Sequence, residues 1–208
     1  MLQIIPALLV AITVVIQCLA VQMSRYRLSR MNARPPHHGL ALMSGMLAAA
    51  AIILRLYQND SAVGVLFMTI MTGCMTLMTL TDAASCRLPR PFTIMYLISG
   101  SAFRLWQGDW LTGLCSAGFW FLLLLLFRQY TSYRRKTETI GLDDVFLIAG
   151  IAIWSPPGDI PWIVATAAGG ALLYLWCNRQ RRITRELPFG PFLCASQYAF
   201  TFYPGGLW

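Results

Sequence analysis

Asp82, Asp143 and Asp144 stand at the edges of long apolar runs. Asp82 follows the run 62–81. Asp143 and Asp144 open the run 141–155, within the stretch TETIGLDDVFLIAG at 137–150, and no later residue there is polar until Ser155. A carboxylate at the border of a bilayer-length apolar segment is costly, so it points to function by default. Two carboxylates that meet in a partly dry site share a proton, because both cannot ionise cheaply at close range. One then serves as base on a water while the other, protonated, polarises a carbonyl. That is amide hydrolysis of the aspartyl type, and it calls for no metal and no cofactor.

The elements that must position these acids are membrane helices. The 208 residues are 57% hydrophobic and only 12% charged, where a soluble domain carries about 25% charge. Apolar runs of bilayer length recur from end to end, which predicts an all-α polytopic bundle of about eight transmembrane helices. The expected spans are 2–23, 40–57, 62–81, 91–107, 110–127, 141–155, 160–177 and 189–207. The first has no basic stretch before it, so it reads as a retained span and not as a signal peptide. No stretch reads as a soluble domain, and residues 1–208 form a single integral-membrane unit.

Orientation follows from the basic residues. Fourteen of the 16 fall in the loops 24–39, 82–90, 128–140 and 178–188, which marks that face as cytoplasmic and places both termini outside. The two exceptions, Arg55 and Arg104, are expected to snorkel near the opposite helix ends. The net charge of +8 is then explained by orientation and anionic lipid, with no nucleic-acid partner. In this topology Asp82, at the end of span three, and Asp143 and Asp144, at the start of span six, share one depth on the cytoplasmic face.

Each of these residues also has a plain structural explanation. Acids are favoured at a helix N-terminus by its dipole, which suits Asp143 and Asp144. Asp82, at a helix C-terminus, is opposed by the same dipole. Pro188, Phe189, Gly190 and Pro191 make a good helix-entry turn, and Gly141 permits close backbone approach. The cysteines at 18, 74, 86, 115, 177 and 194 include no CxxC pair and read as small buried apolar residues. His37 and His38 have no cysteine or acid beside them to complete a metal site.

Three segments carry a family resemblance. Gly141-Leu142-Asp143-Asp144 resembles the GxGD motif of membrane aspartyl proteases. The run from Asp82 to Pro89, DAASCRLP, resembles the segment of type IV prepilin peptidases in which an aspartate precedes a Leu-Pro pair. Residues 187–193, LPFGPFL, are similar to that family's PFGP(F/Y)L segment. The three occur in the family's order and cover most of residues 62–200.

The resemblance implies a peptidase of the bacterial inner membrane that removes the basic leader of prepilins or pseudopilins after a glycine. Asp82 and Asp144 would be the catalytic pair. Gly141, Asp143, Pro89, Pro188, Phe189, Gly190 and Pro191 would bind substrate or shape the site. Asp143 stands where the family has its second glycine, and Phe146 where many members have lysine. Ala83 and Ala84 replace the usual charged residues.

Many members also carry a long cysteine-containing insertion between the first two spans, associated with N-methylation of the new amino terminus. Here the loop is only 24–39 and has no cysteine, which predicts peptidase activity without methylation. The oligomeric state is not readable. Two other classes compete: a non-enzymatic component of a pilus or secretion assembly, and an ion-coupled transporter, whose acids usually lie near mid-membrane.

Overall fold

A computed structural model of the protein describes residues 4–31, 38–57, 61–135, 141–177 and 187–202. These form eight helices and no strand: α1 (Ile4–Arg30), α2 (His38–Tyr57), α3 (Ala62–Ser85), α4 (Arg90–Gln107), α5 (Trp110–Arg135), α6 (Leu142–Trp154), α7 (Ile160–Cys177) and α8 (Gly190–Thr201). The expected helical bundle is present. Five of the helices, α1, α2, α3, α5 and α7, are long and apolar enough to cross a membrane.

The other three fall short of that by length or hydropathy. With 13 residues in α6 and 12 in α8, neither exceeds about 20 Å, against a hydrocarbon core of about 30 Å. In α4 the hydropathy is diluted by Arg90, Thr93, Ser99, Ser101 and Arg104. Both α6 and α8 are largely shielded by protein, so they need not match the bilayer thickness. The longest overruns of the expected ends are in α1, which continues past 23 to Arg30, and α5, which continues past 127 to Arg135. Basic residues in the final turn are favoured there by the exposed carbonyls, and Arg27 also lies over the Phe92 ring at 4.8 Å.

At the centre is α3, which packs on α1, α2, α4 and α8. Its Met68, Met71, Met75 and Met78, at alternating three- and four-residue steps, belong to one buried cluster with Leu147, Ile148 and Ile151 of α6. Two glycines let α4 and α6 interlock. A methyl group on Gly100 would stand 2.7 Å from Trp154 Nε1, and one on Gly150 would stand 2.7 Å from the Tyr96 ring. Trp154 Nε1 in turn donates to the Tyr96 carbonyl at 3.1 Å.

Polar groups buried at this depth need partners. Tyr96 donates from its hydroxyl to Gln197 Oε1 at 2.6 Å, and Tyr198 donates to the Thr72 carbonyl at 3.2 Å. These bonds tie α8 to α4 and α3. Tyr96→Phe leaves the Gln197 oxygen buried without its donor, which is expected to cost about 1–3 kcal/mol. The double change Tyr96→Phe with Gln197→Met, which removes both partners, is expected to cost less than the sum of the single changes. Unfolding in mixed detergent micelles measures both.

Arg55 and Arg104 do not snorkel: they are only 6% and 7% exposed. Arg104 crosses Gly113 of α5, where a methyl group would lie 2.9 Å from its Cγ, and its Nε donates to the Ile153 carbonyl at 2.8 Å. The carbonyls at the C-terminal end of α6 attract this cation. The cysteines also depart from expectation. Cys74 and Cys194 are buried, whereas Cys18, Cys115 and Cys177 are exposed on the outer surface of the bundle. That surface faces lipid, where a small apolar thiol is as well placed as in a core. His37 lies outside the described residues.

Candidate active site

Asp82 does not stand in the loop after α3 but inside its last turn. The chain leaves the helix four residues later at Cys86, which has left-handed backbone geometry (φ 50°) and donates its N–H to the Asp82 carbonyl at 2.7 Å. A non-glycine residue in that geometry is strained by about 1–2 kcal/mol. Cys86→Gly is therefore expected to keep the helix stop and raise the thermal midpoint by a few degrees. Pro89 then caps the start of α4, accepting through its carbonyl from the N–H groups of Phe92 and Thr93.

The Asp82 side chain is 4% exposed. Its Oδ2 accepts a hydrogen bond from the backbone N–H of Gly190, the first residue of α8, at 2.8 Å. Gly190 is 108 positions away in sequence, and nothing in the local pattern of either segment announces the contact. There is no room for a side chain at 190: a methyl group would stand 2.7 Å from Asp82 Oδ2. The flanking residues hold the glycine there. Pro191 fits the first helical turn, and the Phe189 carbonyl accepts from Phe192 and Leu193 while its ring packs on the core. Pro188 precedes this turn and is half-buried.

Asp143 and Asp144 lie in the first turn of α6, which starts after Gly141. Asp144 is half-buried, and its Oδ2 folds back so that a methyl group on Gly141 would lie 3.1 Å away. Asp144 interacts electrostatically with both Asp82 and Asp143, so the three carboxylates share one end of the bundle. α3 and α6 reach each other only through side chains, and α4 and α8 each pack against both. Asp143 points outward to Arg90 of α4, Oδ1 to Nε at 3.3 Å. Such an exposed pair contributes about 0–1 kcal/mol.

Phe146 packs against Phe121 of α5 at 5.2 Å between ring centres, with the rings tilted by 43°. Tyr96, Gln197 and Tyr198 were not singled out from the sequence. Gln197 carried the clearest signal, as a lone amide in an apolar run. No group of three or more potential metal ligands occurs among the described residues. A carboxylate clamped by a backbone amide, with a second carboxylate in electrostatic reach, is a donor and acceptor set suited to moving protons to and from a water.

Residues 69–176, just over half of the chain, match the profile of the type IV leader peptidase family. The chain belongs to that family. The matched region contains Asp82, Asp143 and Asp144, while Gly190 lies beyond it. Two similar proteins are the prepilin leader peptidase/N-methyltransferases of Burkholderia pseudomallei strains 1026b and K96243. Each is 32% identical over 175 residues, covering 79% of this chain and 53% of the relative. This leader peptidase family member thus spans about half the length of those relatives. No solved structure matches it. Its five span-length apolar helices, together with the family, make it an integral membrane protein.

Proposed function

We propose that this protein is an aspartic endopeptidase that cuts the leader from prepilins or pseudopilins after a glycine, at the cytoplasmic face of the inner membrane. Asp82 and Asp144 are the catalytic pair. The observation that carries this reading is the amide of Gly190 bonded to a nearly buried Asp82, with Asp144 at the same end of the bundle.

The chemistry follows from the shared proton. A water between the carboxylates gives its proton to the ionised one as its oxygen attacks the scissile carbonyl carbon. The protonated partner gives its proton to the carbonyl oxygen. Collapse of the resulting diol breaks the C–N bond: the leaving amine takes a proton from the acid that acted first as base, and a diol hydroxyl returns its proton to the other carboxylate. Because Gly190 N–H occupies Asp82 Oδ2, the exchange on that residue uses Oδ1. No step draws on a metal or cofactor.

Supporting the orientation, Arg27, Arg90 and Asp143 lie at the end of the bundle that holds Asp82. That end faces the cytoplasm, and both termini face the periplasm. The whole chain acts as one peptidase domain with its core at 62–200, contacting lipid and substrate but no nucleic acid. Without a cysteine-bearing insertion at 24–39 it leaves the new amino terminus unmethylated. The full chain in vesicles, incubated with a purified prepilin, is expected to release the leader and leave a mature product of unmethylated mass. A product cut elsewhere, or carrying an added methyl group, would overturn the corresponding part of the proposal.

A further inference from the structure

Between α7 and α8 runs an apolar groove of about 270 Å³. Its walls are Thr166, Ala167 and Gly170 of α7 and Ala195, Ser196 and Ala199 of α8, with Phe192 and Phe200 toward its two ends. Small-molecule pockets start at about 300 Å³ and are enclosed, whereas this is a shallow trough along two helices. Residues this small allow a helix backbone to approach closely within a membrane.

A second observation points to what fills it. Ser196 is 8% exposed, yet its hydroxyl has no hydrogen-bond partner among the described residues. Ser44, Ser99 and Ser101 each donate to a carbonyl three or four residues earlier, whereas Ser196, like Ser116 and Ser155, makes no such bond. An acyl chain cannot satisfy a hydroxyl, but the backbone or side chain of an incoming helix can. The trough is also continuous with the candidate site. Phe192 lies two residues after Gly190, whose amide holds Asp82, and from Phe192 to Phe200 the groove descends about 12 Å along α8.

From this geometry we infer that the α7–α8 groove docks the membrane helix of the substrate, so that the extended segment before that helix is delivered to Asp82 and Asp144. The inference rests on the leader-peptidase reading. Peptide bonds within a helix are closed to attack, so a site at the membrane edge must hold the substrate by its helical part and cut the unwound part beside it.

Ala195 and Ala199 are exposed and one turn apart, so larger side chains there fill the trough without entering the core. With the full-length enzyme and a prepilin bearing its own membrane helix in the same vesicles, Ala195→Trp and Ala199→Trp are expected to raise KM about tenfold with a much smaller change in kcat. Leu114→Trp, on the outer face of α5, is the control. An unchanged KM for both groove variants overturns the inference.

A photocrosslinker in place of Ala199 gives an independent readout. Adducts to the prepilin's membrane helix are expected. Adducts only to lipid, only between two copies of the enzyme, or none at all would overturn the docking proposal. A prepilin that crosslinks but is never cut sinks the peptidase reading alone, and one that is cut but never crosslinks sinks the groove alone.

Discussion

Asp82→Asn and Asp144→Asn are each expected to lower the cleavage rate of a co-expressed prepilin by about 10³-fold or more, while the enzyme still accumulates in the membrane. An amide cannot take or give the proton that the pair must exchange, and general acid–base groups contribute about 10²–10⁴-fold each. The two losses are also expected not to multiply, since either change alone disables the shared-proton device. Asn is nearly isosteric, and at Asp82 its Oδ1 can still accept from the Gly190 amide, so α8 keeps its anchor. Cleavage that persists in either variant would remove that residue from the pair. Asp143→Gly supplies the frame check. The hydrogen bond that Asp143 makes is an exposed one to Arg90, so its loss is expected to be mild. Abolished cleavage there, with Asp144→Asn active, would mean that Asp143 is the working acid.

The second large effect is expected at a residue with no side chain. Gly190→Ala forces a methyl group to within 2.7 Å of Asp82 Oδ2, and the carboxylate is the part able to yield. Moving it breaks the amide bond and shifts the reacting oxygen by roughly 1 Å, a displacement that costs about 10²-fold in rate. The expected signature is a drop in kcat at nearly unchanged KM and with normal accumulation, because the α8 anchors at Gln197 and Tyr198 lie two turns away. Gly141→Ala is the graded comparison. Its methyl group would meet Asp144 Oδ2 at 3.1 Å, a tighter-than-usual contact that a small side-chain shift relieves. A smaller loss is expected there. If Gly190→Ala keeps full activity, the amide is only a helix cap and the positioning argument fails.

Much of this was legible in one dimension because a membrane imposes its rules locally. Bilayer-length apolar runs announced a helical bundle, and the acids at their borders announced where chemistry was worth seeking. Local signals were least reliable where neighbours supply the environment. α6 and α8 are too short to span unaided, yet they are stable because other helices surround them. Arg104 was expected in the interface but lies buried, because the end of α6 offers its guanidinium a carbonyl that no reading of α4 alone reveals.

The sequence by itself determined the helical membrane class, the order of the elements and the three carboxylates with their glycines, since hydropathy, dipole and charge bias act within a single segment. Only the tertiary structure decided that Gly190 is the residue on Asp82, that Asp143 turns outward to Arg90, and that Ser196 opens into a groove. Those facts depend on contacts between different helices, 108 positions apart for Gly190 and Asp82 and 53 for Asp143 and Arg90, and no local pattern encodes them.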